Sequence, residues 1–413
     1  MTTRPPVVVI GGGTAGSTVV SYLAAHTTHE IVLIEPGQLV TSDDDSRFHD
    51  ALSQSGVTRE YEVIVSQGRV RPYREARALG GGSAVNGMLL TGDEPEHLRG
   101  LTRMATDDDC GALGSMLLQA GGEFSRLWWN RGRWNPGRAV NHLVEEGRVR
   151  LMTQEAQSVQ FSGNRVASVI VDNAEIDAQH VVLCAGAIES PALLLRSGCG
   201  NVNPAIGQGL QNHPAIDIPF SLNEPSRARF DASVVYRYDM QETGNIMMFA
   251  FERASRTEPQ IGVLSIAAMA PDSLGSVTLD GGVTRIDFNT LATLRDQMCL
   301  VGGIEKAISL LEERLPSSDL CLAEPHPLNF SLTDFQSYSD ENQRDYVLRH
   351  VDVLAHSSSS CFAAVDQNGS LEGFAGISLA DASILPNVPH DTPAAPVTME
   401  ALRVARILGK ELS

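Results

Sequence analysis

The sequence predicts an α/β protein in which a parallel-sheet dinucleotide-binding domain is interrupted by an inserted α+β domain built on an antiparallel sheet. Three observations carry this. A β-branched run, Val7-Val8-Val9-Ile10, leads directly into Gly11-Gly12-Gly13-Thr14-Ala15-Gly16. A second buried strand with a small-residue turn, His180 to Ala187, follows far along the chain. Between residues 216 and 350 the pattern changes to alternating runs such as Ser233–Tyr238, Asn245–Phe251 and Ile261–Ala268, the signature of strands with one solvated face.

The first element is a strand buried on both faces, because Val7–Ile10 has no polar alternation. The turn after it opens a helix carrying Val19, Val20, Tyr22 and Leu23, and Ile31–Ile34 is the second strand, ended by Glu35. This is G-x-G-x-x-G in a Rossmann-like strand–turn–helix–strand setting, with an acid 19 residues after the last glycine. Gly11 permits the turn, Gly13 lets the amides around Thr14 and Ala15 approach a pyrophosphate, Gly16 allows helix and strand to touch, and Glu35 accepts from ribose hydroxyls. These residues leave NAD and FAD undistinguished. A second glycine cluster, Leu79 to Met88, contains Gly80, Gly81, Ser83, Asn86 and Gly87 and reads as ordered backbone wrapped around something flat. Short strands over Arg148–Leu151, Ala156–Phe161 and Val166–Val171 precede the buried strand at residue 180, and a helix is expected to start near Pro191. Apolar positions Val301, Ile304, Ile308 and Leu311 predict a helix over 300–315, and Val397–Leu408 a closing one.

With 413 residues the chain is long enough for two or three domains. Its formal charge of −19 disfavours nucleic acid and anionic lipid surfaces as partners. The six scattered cysteines read as reduced thiols, and no apolar run reaches the ~20 residues of a membrane span, so a cytoplasmic protein is expected. Asp43–Asp45 and Asp107–Asp109 read as solvated acidic loops, and no metal is assigned. Trp128, Trp129 and Trp134 lie among Arg126, Arg131, Arg133 and Arg138. They read as a loop anchored by tryptophans, with a docking surface for an anionic ligand as the alternative.

Taken in order, several segments resemble the glucose–methanol–choline (GMC) family of FAD-dependent oxidoreductases. Arg77–Met88 resembles the family's first signature, Leu183–Pro191 its second, and Gly207–Pro214 its G-x-N-L-x-D-H-P stretch. Ala270–Leu279 and Asp381–Pro386 match two later segments. The resemblance implies FAD rather than NAD. It places cofactor contacts at Gly11, Gly13, Thr14, Ala15, Gly16, Glu35, Gly80, Gly81, Ser83, Asn86, Gly87, Met88, Val159, Ala185, Gly186, Asp381, Ala382 and Pro393. Where some members carry a flavin-linking histidine this chain has Val85, so FAD is expected to be held non-covalently. The expected domains are an FAD-binding domain from 1–100, 145–215 and 355–413, a shortened lid or connecting region at 101–144, and a substrate-binding domain at 216–354.

The resemblance also implies the chemistry: hydride transfer from a small-molecule alcohol, or a hydroxyl of a natural-product intermediate, to flavin N5 while a histidine takes the proton. His356 occupies the base position. The family's H-x-x-G-T-C-R-M reads His356-Ser357-Ser358-Ser359-Ser360-Cys361-Phe362-Ala363 here, and Thr392 falls where a second active-site His or Asn stands, with His390 two residues before it. These departures leave open a non-redox use of the scaffold (lyase, isomerase or decarboxylase) or a catalytically degenerate FAD-binding partner protein. The electron acceptor, oxygen or another carrier, is not specified by the residues.

Overall fold

The computed structural model describes residues 4–40, 47–52, 54–172, 174–222, 224–253, 259–314, 320–322 and 332–412; Asp43–Asp45 lie outside them. The nucleotide domain is a five-stranded parallel sheet ordered Ile377–Leu379, His180–Leu183, Val7–Ile10, Ile31–Ile34, Arg150–Met152. Its central strands are buried on both faces, as their unbroken apolar runs require. The helix Thr14–His26 packs between Gly137–Glu145 and the C-terminal helix Ala394–Leu412, so residues from both ends of the chain close one core.

The second layer is a seven-stranded sheet. Its main path runs Leu320–Leu322, Pro214–Leu222, Ile261–Ala268, Asn245–Phe251, Ala232–Asp239, Glu123–Phe124, with Asp352–Val353 pairing beside Pro214 and Ala215. All of its pairings are antiparallel. The helix Leu294–Arg314 covers this sheet with Ile304, Ile308 and Leu311. It starts before the apolar periodicity does because its first turn is polar: buried Asp296 accepts from the Asp272 and Ser273 amides (2.9 and 2.8 Å). The helix Gly186–Arg196 likewise starts ahead of Pro191. The proline removes the amide that would bond the Ala187 carbonyl, and Ser360 Oγ donates to that carbonyl instead (2.6 Å).

A third sheet crosses the expected segment boundaries. The hairpin Thr58–Ser66/Arg69–Ala76 pairs with Val283–Asp287 through Val63↔Ile286, joining the first hundred residues to the middle of the chain. Residues 101–144 are built into the body as well. Glu123–Phe124 extends the seven-stranded sheet, and the helix Ala112–Gln119 begins on Glu252, whose buried carboxylate accepts from the Gly114 amide (2.8 Å). Asp109 is buried in a bidentate pair with Arg103 (2.7 and 2.8 Å) and is not the solvated acid expected of it. The tryptophans are core residues: Trp128 and Trp129 are buried and Trp128 stacks on Trp134 at 4.7 Å, so they form an anchor and not a docking surface. Among the described residues, no helix is long and apolar enough to cross a membrane.

The first turn is among the tightest points. A Cβ on Gly16 would lie 1.8 Å from the Gly11 carbonyl oxygen, while one on Gly82 would meet nothing within 4 Å. Gly16→Ala is therefore expected to destabilise by about 1–3 kcal/mol or more through overpacking, with Gly82→Ala near neutral. Thermal melts of the two variants check this; equal midpoints would refute it.

Candidate active site

One cavity of about 830 Å³ runs from the first glycine turn to His356, toward the upper end of the ~300–1,000 Å³ of ligand sites. Gly11, Gly13, Thr14, Ala15 and Glu35 line its nucleotide end. Gly11 holds φ +97, a left-handed conformation that suits glycine. No side chain caps the helix that starts at Thr14, so its first amides face the cavity unsatisfied and favour an anion there. The carboxylate of Glu35 accepts from the Gly12 and Gly37 amides (2.7 and 2.6 Å), and burial raises its pKa against those donors. Each carboxylate oxygen retains a lone pair for a hydroxyl donor.

The middle of the cavity is lined by Gly81, Ser83, Asn86, Gly87 and Met88 on one side and Ala185 and Gly186 on another. A Cβ on Gly81 would reach within 2.6 Å of Gly13 Cα, so the two glycine turns face each other across a space that side chains would fill. Thr14 Oγ1 and Ser83 Oγ lie 2.8 Å apart across that seam. Arg133, beside the tryptophan anchor, donates to Asn86 O and Oδ1 (2.6 and 3.0 Å) and fixes the loop. Uncapped amides, facing glycines and a long cavity fit the FAD that the resemblance implies.

Asp381, Ala382 and Pro393 also line the space. The Asp381 carboxylate itself is turned into protein, accepting from the Gly186 amide (2.8 Å), Ser190 Oγ (2.6 Å) and the Ser383 amide (2.8 Å), so its part is to hold the backbone around the cavity.

Four expected site residues do not line it. Gly16 packs behind the turn against Gly11, and Gly80 bonds its amide to Gly12 O (2.8 Å) beneath Asn135. Val159 is a core residue whose amide donates to Ser197 Oγ (2.8 Å); Ala156 and Gln157 line the cavity in its place, beside a register shift between Ala156 and Ser158. His390 is exposed outside it.

His356 lines the cavity, and burial pushes its pKa down to about 4, so the ring is neutral around pH 7. Its ring partner is His213 and not the neighbouring serines: the two Nδ1 atoms are 2.9 Å apart with the rings perpendicular. Asn212 Oδ1 accepts from the amides of both His213 (2.9 Å) and His356 (3.3 Å). Thr392 also lines the cavity, but its hydroxyl donates to Leu89 O (2.8 Å) and its amide to Thr91 Oγ1 (2.9 Å). It ties two loops together.

Sequence reasoning missed three features. His213 stood in the G-x-N-L-x-D-H-P stretch, but only the fold shows what it faces. Phe48, Leu52, Phe249, Phe251 and Leu354 form an apolar wall, with Phe48 edge-on to Phe251 at 5.8 Å and Phe251 Cε1 at 3.7 Å from where a Gly87 Cβ would stand. The inward direction of Phe249 and Phe251 follows from their shared strand face, whereas Phe48 and Leu52 come from a short helix. Glu75 lines the cavity and accepts from Ser357 Oγ; burial pushes its pKa up to about 7.

Comparisons with known proteins show the family. Sequence models of GMC oxidoreductases match residues 136–215 and 271–401, together just over half of the chain. The chain is 25% identical to an uncharacterised GMC-type oxidoreductase of Rhodococcus erythropolis, over 97% of each chain. It is 26% identical to 5-(hydroxymethyl)furfural oxidase of Methylovorus sp. strain MP688, over 96% of this chain and 97% of that one. The first of these alignments runs over 501 positions, of which this chain can fill no more than 413. The fold superposes on pyridoxine 4-oxidase from Mesorbium loti with a TM-score of 0.82 at 21% identity, over 98% of this chain and 99% of that one. With both halves of the signature in order around a cavity shaped for a dinucleotide, the chain belongs to the GMC oxidoreductases, a family of FAD-dependent flavoenzymes.

Proposed function

We propose that the protein oxidises a small-molecule alcohol whose body is apolar or aromatic, with non-covalently held FAD and His356 as the base. The observation that carries the reading is a neutral, cavity-lining histidine in the same cavity as the aromatic wall and the glycine turns. Bound FAD supplies the acceptor for the hydride that leaves the carbinol carbon. His356 takes the hydroxyl proton, so the alcohol is converted to a carbonyl compound. A neutral imidazole serves at pH 7 because it needs no prior deprotonation. Phe48, Leu52, Phe249, Phe251 and Leu354 bury the substrate body and exclude water, and none of them offers a charge to a charged substrate. Thr392, its hydroxyl proton engaged by Leu89, holds the loop beside the base. Val85 is buried and carries no nucleophile for a flavin link. Similar proteins named as oxidases of 5-(hydroxymethyl)furfural and pyridoxine support an alcohol as substrate.

The direct test is anaerobic mixing of the yellow protein with benzylic and aliphatic primary alcohols. Bleaching of the visible flavin band is expected, faster for the aromatic series. His356→Asn should retain FAD and lose about 10²–10⁴ in bleaching rate. Protein that is colourless and takes up no FAD, or a His356→Asn variant as fast as its parent, would sink the proposal. The base must be unprotonated, so kcat/KM should fall only as pH drops through about 4, in place of the 6.5 of a free histidine.

Glu75 gives a second pH effect of opposite origin. Its carboxyl, close to Tyr73, Glu189 and Asp381, is neutral below about pH 7 and negative above it. Ionisation then adds a negative charge to a cavity that would hold the diphosphate of FAD. FAD is expected to bind several-fold more weakly at pH 8 than at pH 6, and Glu75→Gln to abolish the difference in a flavin-fluorescence titration.

A further inference from the structure

We propose that His213, which does not itself line the cavity, is a positioning residue that fixes the tautomer of His356 so that its free ring nitrogen faces the substrate. The inference rests on His356 being the base of the reaction proposed above. His213 is fully buried, with Nε2 2.8 Å from the Pro389 carbonyl oxygen and Nδ1 2.9 Å from His356 Nδ1.

A carbonyl oxygen only accepts hydrogen bonds, so His213 Nε2 carries the proton of that contact. Burial, and the facing His356, hold the His213 pKa well below the ordinary histidine value, so the ring is neutral and has only that one N–H. Its Nδ1 therefore presents a lone pair to His356. Two bare nitrogens 2.9 Å apart would repel, so His356 carries its proton on Nδ1 and donates it to His213. One nitrogen of His356 remains, Nε2, bare and on the edge of the ring away from His213, and the ring itself lines the cavity.

The chain of dependence runs from Pro389 through His213 to His356. It starts from a backbone oxygen that cannot change roles. The two backbones are held in register by Asn212 Oδ1, which bonds both amides, and by the Leu354 amide bonding to His213 O (3.0 Å). When Nε2 takes the alcohol proton, the Nδ1–H of the resulting imidazolium still points at the His213 lone pair. No second proton movement is needed.

Nitrogen-15 NMR of the FAD-loaded protein, labelled at histidine, reads the tautomer directly. His356 is assigned as the resonance lost in His356→Asn. At neutral pH its Nδ1 is expected to show a bonded proton and its Nε2 the shift of an unprotonated nitrogen. His213→Leu removes the acceptor and should mix the two tautomers, lowering kcat at least about tenfold with little change in KM and full FAD content. His213→Asn, whose Oδ1 takes the place of Nδ1 as acceptor, should restore most of both. A bonded proton on His356 Nε2 in the unsubstituted protein would overturn the inference, as would an unchanged tautomer and rate in His213→Leu. The NMR result does not depend on turnover. A correct tautomer in a protein that bleaches with no alcohol would refute the proposed reaction and leave the tautomer assignment standing.

Discussion

The site depends on one buried carboxylate. Asp381 accepts from the Gly186 amide, Ser190 Oγ and the Ser383 amide, and it is almost wholly shielded from water. Hydrogen bonds to a charged group contribute about 1.5–3 kcal/mol each. These three clamp the start of the helix Gly186–Arg196 to a turn nearly two hundred residues later. The turn in turn carries the serine run: Ala382 O accepts from the Ser359 amide (2.9 Å) and Ser383 O from the Cys361 amide (2.7 Å). Ser360 Oγ closes the loop on Ala187 O. His356 stands at the end of that run, so its position is set by contacts among segments that share no local sequence.

Around this clamp most of the cavity's charged side chains lie away from the apolar wall, although Glu75 reaches Ser357 beside His356. The apolar wall faces His356, whereas Arg59, Arg74, Arg77, Glu155, Glu189 and Arg196 enter the cavity from the hairpin, the strand after it and the helix beyond Gly186. Several of them are paired, as in Arg59 with Glu189 (3.3 Å) and Arg77 with Glu155 (3.0 Å). Screened, paired charges at one end and a charge-free wall at the other give a cavity with two dielectric characters. The first suits a diphosphate. The second lowers the pKa of a histidine, because burial penalises its charged form.

Local patterns in the sequence disclosed the parallel sheet and its glycine turns, because a strand buried on both faces and a turn with positive φ each restrict residue type at fixed positions. Val7–Ile10, Gly11 and Ile31–Ile34 are where those restrictions placed them. What escaped depends on pairing between remote segments. The meeting of His213 and His356 spans 143 residues, and the union of Val63 with Ile286 spans more. Val159 lies off the cavity wall for a smaller reason: its strand carries a register shift between Ala156 and Ser158, and no periodicity records that. The helix start at Leu294 is hidden by a polar first turn whose donors come from elsewhere, and the start at Gly186 by Pro191, whose missing backbone bond Ser360 replaces.

The serine run holds a left-handed turn without the glycine of the family pattern. Where the family has glycine, Ser359 holds φ +72, a left-handed conformation that costs a residue with a Cβ roughly 1–2 kcal/mol. Its hydroxyl is buried without a partner among the described residues, which adds to the cost. A loop free to relax would not retain that conformation. It is retained because the Ser359 amide is held by Ala382 and the Cys361 amide by Ser383, and both are fixed by Asp381. The turn therefore persists without its glycine, and it delivers His356 to His213 within hydrogen-bond distance. The departure from the family pattern lies in which residue takes the left-handed position, and His356 still meets His213 beside it.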